Sequence, residues 1–337
     1  MKYSGIDLHS NNSVVTVTDE GDRVVAEKRL PNDLARIVGF LSPWRDELAG
    51  VVVESTYNWY WLVDGLQEAG FTVKLANTGA IRKYDGLKHS GDEADARQLA
   101  HLLRLGLLPT GTILPPEHRA TRDLARKRMQ LVRSRTSHIL AIENILARQR
   151  GVRISSNAIK RLTADDVDQM MLPEDVTLAI QSNLAVVSTL GAQIELLEKR
   201  LQERIGERAE YALLTSVPGI GRILATIICL ETGPIERFAA VGNFASYARC
   251  VDSQRISNGK KKGEGNTRNG NKYLAWAFVE AANFALRFPA EAKRFYERKK
   301  ARTNPVVAIK ALAHQLARAC FHILKERQPF DVTRCFA

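Results

Sequence analysis

The first eighty residues leave few architectures open. Apolar and polar residues alternate over Lys2–Leu8, Ser13–Thr18 and Arg23–Leu30, and the breaks between them, "HSNN" and "DEGD", carry turn chemistry. Three short strands in succession read as an antiparallel meander. Helical spacing behind an Asn N-cap follows in "NDLARIVGFLSPWRDEL", then a buried strand in "GVVVES", a helix in "YNWYWLVDGLQEAG" closed by Gly70, and a strand in "FTVKLAN". The helix "GDEADARQLAHLLRLG" ends at Gly106, and this unit is expected to close near Leu108.

The order βββαβαβα, with its later strands in βαβ units, matches the ribonuclease H-like fold, a mixed sheet with helices on both faces. Beyond it the chain reads as helical. Arg119–Arg150 is one long helix with nine basic residues, a candidate phosphate-facing element that includes Arg119, Arg122, Arg126, Lys127 and Arg128. A second long helix over roughly Asp175–Arg208 has Val187, Ile194 and Leu201 in one heptad column and Leu190 and Leu197 in the other. Such a pair forms either an antiparallel hairpin or a coiled coil between protomers. From Tyr211 onward the pattern is compact and helical. Three regions result: 1–108 as an α/β unit, 109–210 as long helices, and 211–330 as a helical domain.

Composition narrows the partner. Lys and Arg number 49 against 37 Asp and Glu, a formal net charge of +12, which favours a polyanion and most often nucleic acid. Cys229, Cys250, Cys320 and Cys335 lie far apart, without the spacing of a zinc site. No apolar run reaches the length of a membrane span, and the N-terminus has no signal-peptide core. A reduced, cytoplasmic chain that does not enter membranes is the expectation.

Four acids stand out by position. Asp7 ends the first strand and Glu54 ends the fourth, and the two strands are neighbours in a ribonuclease H-like sheet. Asp92 and Asp95 lie three residues apart near the start of the following helix, hence on one face. Acids gathered at one sheet edge repel unless a cation neutralises them, and oxygen ligands suit Mg²⁺ or Mn²⁺. Two such ions can activate a nucleophile and stabilise a leaving oxygen in phosphodiester cleavage. Taken singly, each acid also fits an ordinary role, since "GID" occurs at the first strand of sugar-kinase and actin-like ATPases and acids favour helix starts. Glu93 is expected to face solvent.

Two glycine-bearing segments complete the candidates. In "SVPGIGRILA", Gly219 and Gly221 precede a helix, either as backbone donors to a phosphate or as a tight helix–helix turn. In "CVDSQRISNGKKKGEGNTRNGNKYL", Arg255, Lys260, Lys261, Lys262, Arg268 and Lys272 surround Ser257 among glycines, a composition that can wrap a phosphate backbone. Ser257 is there either a hydrogen-bond donor to phosphate or a nucleophile favoured by nearby cations.

With "GIDLHS", "VVVESTYNWYWL", "KHSGDEADARQLAHLL", "VPGIGRILA" and "FASYARCVDSQRISNGKKKGEGNTRNGNKYLAWAFVEAA" in view, the chain resembles, nearly end to end, the DEDD transposases of bridge-RNA-guided insertion sequences, the 110/1111 family, with wording nearer the 1111 subgroup. The resemblance implies a RuvC-like metal-binding domain and a C-terminal transposase domain. It carries the acidic tetrad onto Asp7, Glu54, Asp92 and Asp95, and the catalytic serine onto Ser257. Ile256 and Asn258 stand where the family has a glutamine and its first glycine, which would let the alignment slip to Ser253, but the spacing to "GNKYL" favours Ser257. It further implies a serine–DNA phosphodiester intermediate, strand exchange between donor and target DNA, an element-encoded guide RNA, a dimer assembling to a tetramer with Val187–Leu201 as a protomer contact, and a bacterial, nucleoid-associated location. Two other readings compete. One is a non-catalytic nucleic-acid-binding scaffold; the other is an actin-like or sugar-kinase-like ATPase, which predicts a second phosphate loop and a repeated half-domain that the sequence does not display.

Overall fold

The computed structural model describes residues 1–81, 91–251, 255–263, 269–288 and 290–336, and the chain divides into two compact units, Met1–Pro116 and Glu117–Ala337. In the first, the alternating runs become β1 (Lys2–Leu8), β2 (Asn12–Thr18) and β3 (Val24–Pro31). They are followed by α1 (Leu34–Leu41), β4 (Leu48–Glu54), α2 (Tyr60–Glu68), β5 (Val73–Ala76), α3 (Asp92–Arg104) and β6 (Thr110–Gly111). The N-cap of α1 is Asp33 rather than the preceding Asn, because the Asp33 side chain accepts from the Arg36 amide.

One sheet takes the order β3-β2-β1-β4-β5-β6. The β1–β4 and β4–β5 pairs are parallel and the rest antiparallel, so the mixed sheet expected from the element order is present. Strand β6, two residues long, had no period to betray it, and its pairing with β5 carries the unit on to Pro116.

Each face of the sheet is covered. Ile6, Leu8, Val15, Val17, Val51 and Val53 pack against Ile37 and Leu41 of α1 and Leu62, Val63 and Leu66 of α2. Full burial of each such side chain contributes about 1.5–3 kcal/mol. The other face receives α3, which packs on β1, β2 and β4. Its close approach needs Gly5, since a Cβ there would lie 2.0 Å from the Ala96 carbonyl oxygen. Along its outer side α3 is tied to the β2–β3 hairpin by ion pairs: Arg29 to Asp92 and Glu93, Glu27 to Arg97, and Asp22 to His101 and Arg104.

The second unit begins with α4 (Pro116–Arg150), runs through short α5 (Ser156–Ile159) and α6 (Ala164–Asp168), and returns along α7 (Glu174–Ile205). Helices α4 and α7 are antiparallel partners: His138 Nδ1 lies 2.8 Å from Asn183 Oδ1, and Arg128 pairs with Glu198. Ile139, Ile142 and Leu146 pack with Ile180, Leu184 and Val187. The heptad column expected at a protomer contact is therefore taken up inside one chain, with Val187, Ile194 and Leu201 all buried. The hairpin alternative holds for this column, because a stripe already covered by its own fold is not available to a partner.

Helices α8 (Ala209–Thr215), α9 (Arg222–Thr232), α10 (Val241–Tyr247), α11 (Lys272–Ala285), α12 (Ala290–Arg302), α13 (Pro305–Glu326) and α14 (Val332–Phe336) complete the unit. Leu214, Ile228, Phe244, Leu274, Phe278, Leu316, Cys320 and Phe321 form its centre. Between α10 and α11 stand β7 (Arg255–Ser257) and β8 (Lys260–Gly263). No helix among the described residues is long and apolar enough to cross a membrane.

Candidate active site

Strand register gathers the acids. The β1–β4 pairing runs through Ile6↔Val53, so Asp7 and Glu54 are the next positions at the carboxyl ends of two parallel strands. Asp7 is two residues beyond Gly5 and Glu54 two beyond Val52, which places both on the face that α3 covers. Helix α3 starts at Asp92 with Gly91 as N-cap and carries Asp92, Glu93 and Asp95 in its first turn, where the helix dipole favours negative charge.

The tightest constellation is Asp7, His9 and Asp92, which offer ligand atoms all within 4.8 Å of one another. His9 Nε2 lies 3.2 Å from Asp7 Oδ2 and 3.2 Å from Asp92 Oδ2. Asp7 is 4 % exposed, whereas His9 and Asp92 are half-buried. The Arg29 guanidinium, 2.7 Å away, holds the Asp92 carboxyl below the usual carboxylate range, and His9 adds to the effect. Glu93, expected in solvent, also binds Arg29, at 3.1 Å. Glu54 and Asp95 are half-buried at the ends of β4 and α3 that border this group but are not members of it. Two carboxylates and an imidazole at such spacing fit a divalent cation, which would offset their mutual repulsion. His9 is the residue that sequence reasoning missed; the turn "HSNN" masked it.

The serine segment is a two-residue hairpin rather than an irregular loop. Ser257 pairs with Lys260 across a turn in which Asn258 and Gly259 have φ of 49° and 68°. Left-handed conformations at both central residues define the turn type that Asn-Gly favours, a signal present in "SNGK". Ser257, Lys260 and Lys262 are exposed. Arg255 and Lys261 belong to the strands, with side chains outside the described ones, and Ser253 and Arg268 lie outside the described residues. Further along, the carbonyls of Asn269 and Gly270 accept from Arg249 at 3.1 and 2.9 Å. Asn271 then N-caps α11, accepting from the Tyr273 and Leu274 amides, and exposed Lys272 follows it.

Residues 4–149 match the DEDD transposase domain of IS110, and residues 211–297 match the domain described as transposase of the IS116/IS110/IS902 family. The chain carries both transposase domains of the IS110/IS116/IS902 family. It is a DNA transposase. A transposase for insertion sequence element IS1328 of Yersinia enterocolitica is 23% identical over 336 residues, 97% of this chain and 98% of that one. A "Probable family 20 transposase" of Pseudomonas aeruginosa is 24% identical over 292 residues, 84% of this chain and 83% of that one. The insertion element IS110 43.6 kDa protein of Streptomyces coelicolor is 24% identical over 185 residues, 54% of this chain and 46% of that one.

Within the transposase the basic residues divide sharply by environment. On α4, Arg119 is 2 % exposed, which removes it from a phosphate-facing surface. Arg122 is largely buried beside Asp123, Arg126 donates to Glu231 at 2.7 and 2.8 Å, and Arg128 pairs with Glu198. The reason is that this half of α4 packs into the core through Ala125 and Met129, so its cations face acids of the same unit, of which Glu231 is buried. Lys127 alone of the five is exposed. Helix α12, which drew no notice in the sequence, has Lys293, Arg294, Arg298, Lys299, Lys300 and Arg302 all exposed. Arg294 and Lys300 pair with Glu291 and Glu297, and the other four have no acidic partner among the described residues. Of the two glycines, Gly219 (φ +90°) serves helix packing, because a Cβ there would lie 2.3 Å from the Ala281 oxygen of α11. Gly221 N-caps α9 with open space around its Cα.

Proposed function

We propose that this transposase cuts and exchanges DNA strands between an insertion sequence and its target, with Asp7, Glu54, Asp92 and Asp95 holding Mg²⁺ or Mn²⁺ and Ser257 as nucleophile. The observation that carries the reading is the meeting of Asp7 and Asp92, from strand and helix, with ligand atoms within 4.8 Å. A divalent ion bound there supplies charge neutralisation and Lewis acidity at a phosphodiester. Ser257, exposed at the mouth of a tight hairpin, attacks a DNA phosphorus and forms a serine–phosphate ester as the strand's 3′ or 5′ oxygen leaves with a proton. Lys260, its cross-strand partner, and Lys262 stabilise the charge that develops on the phosphoryl oxygens. The element's guide RNA pairs with donor and target, in the manner of the 1111-like subgroup, and a tetramer assembles the composite site. These steps rest on the family likeness, on "GIDLHS" and "GDEADARQ", and on the alignment of Ser257 with the family's serine in "ISNGK", where Ile256 and Asn258 depart from its motif.

The reading is tested by incubating donor and target DNA with the element's RNA, the protein and Mg²⁺ or Mn²⁺. Wild type yields a protein–DNA adduct resistant to denaturation; Ser257→Ala is expected to yield none while still binding DNA. An unchanged adduct in Ser257→Ala would move the nucleophile elsewhere, and recombination without RNA would remove the guide.

We also propose that α12 supplies DNA backbone contacts that the interior of α4 cannot. Each phosphate contact adds about 0.9 to the slope of log affinity against log salt. A Lys293→Ala/Arg298→Ala/Lys299→Ala variant is expected to lower that slope by about 2–3 while leaving the melting temperature near wild type. Fluorescence anisotropy across a salt series reads the difference, and an unchanged slope would exclude α12.

A further inference from the structure

We infer that His9 is a third protein ligand of the cation bound by Asp7 and Asp92, making a mixed nitrogen and oxygen site that prefers Mn²⁺ to Mg²⁺. The inference rests on the metal-dependent reading above and adds a residue outside the acidic tetrad.

Three observations support it. His9 Nε2 is equidistant, at 3.2 Å, from one oxygen of Asp7 and one of Asp92, so a single ion among the three ligand atoms would meet all of them. That nitrogen is shielded from solvent and makes no well-aligned hydrogen bond, although polar atoms so placed are ordinarily satisfied. The backbone of His9 is fixed from both sides. Its carbonyl accepts from Asn32 Nδ2 at 3.0 Å and from Asn58 Nδ2 at 2.9 Å, and its amide donates to the Asn12 carbonyl at 2.9 Å. An ordinary turn residue has no need of two half-buried asparagine donors on one carbonyl. A ligand needs such support, because metal affinity depends on the groups that orient the ligands.

The choice of ion follows from donor chemistry. Mg²⁺ takes oxygen ligands and gives up water reluctantly, whereas an imidazole suits transition metals. Replacing one oxygen by the His9 nitrogen therefore raises Mn²⁺ affinity relative to Mg²⁺.

The test uses the full chain without DNA. Mn²⁺ binding is measured by electron paramagnetic resonance, Mg²⁺ by competition against it, and nitrogen ligation by ¹⁴N modulation in a pulsed echo experiment. Wild type is expected to show imidazole ¹⁴N coupling to bound Mn²⁺. His9→Gln is expected to lose that coupling and at least about tenfold in Mn²⁺ affinity, with Mg²⁺ changed by less, so that the Mn²⁺/Mg²⁺ ratio falls. Absence of ¹⁴N coupling in the wild type, a readout that does not depend on how the variant folds, overturns the inference, as does an unchanged ratio in His9→Gln. Asp7→Asn separates the two levels. If it abolishes Mn²⁺ binding while wild type lacks the nitrogen signal, the acidic site stands and only His9 is removed. If it leaves Mn²⁺ binding intact, the metal reading itself fails and the His9 assignment falls with it.

Discussion

Asp7→Ala is expected to lower DNA cleavage and strand exchange by more than about a hundredfold, because even outer partners of metal ligands cost 10–100-fold when removed. The carboxylate is 4 % exposed at the end of β1, with register fixed by β2 and β4 on either side, so no neighbouring acid can slide into its place. Glu54→Ala, Asp92→Ala and Asp95→Ala are expected to follow it. Glu93→Ala is the internal control: it shares Arg29 with Asp92 but is not one of the four acids proposed to hold the metal, and activity within a few-fold of wild type is expected. The substitution at Asp7 removes a negative charge from a crowded edge, so the thermal midpoint should hold or rise. A cleavage assay run beside a melting curve reads both. Retained cleavage in a folded Asp7→Ala protein would sink the assignment of the sheet edge as the reaction centre.

What the sequence disclosed followed from periodicity. Alternation over Lys2–Leu8 and Ser13–Thr18 points to the strands β1 and β2, and the strand ends point to the positions of Asp7 and Glu54. His9 was hidden because its role depends on where α3 begins, eighty-odd residues later, and a histidine in "HSNN" reads as turn chemistry. The serine hairpin was legible in Asn258–Gly259, yet its strands are polar and short, so composition suggested a loop. The cations of α4 misled for the opposite reason. A run of arginines looks solvated, and nothing local reveals that Glu231 and Glu198, 105 and 70 residues further along, receive two of them.

That buried pairing gives the largest expected effect on stability. Glu231 has a 3 % exposed side chain and accepts from Arg126 Nε and Nη2 and from Asn271 Nδ2 at 2.7 Å. Arg126 also stacks on Tyr273, 4.6 Å to the ring centroid, and the Glu231 hydrogen bonds raise its pKa despite burial. Arg126→Met leaves a carboxylate buried without its cation, a loss of about 3–5 kcal/mol. At about 2–4 °C per kcal/mol for a unit of this size, the melting temperature should fall by roughly 6–20 °C. Arg126→Met/Glu231→Leu should recover part of the loss, because the apolar pair no longer strands a charge, although Asn271 then lacks one acceptor. A residue that touched DNA phosphate instead would behave differently, lowering the salt slope by about 0.9 with little change in melting. The expected pattern is the reverse: a large fall in melting temperature and an unaltered slope for the fraction that remains folded. Because Asn271 both binds Glu231 and caps α11, loosening the pair also loosens the N-terminus of α11. Hydrogen exchange at the α11 N-terminus of Arg126→Met should therefore rise at temperatures below global unfolding, whereas wild type stays protected.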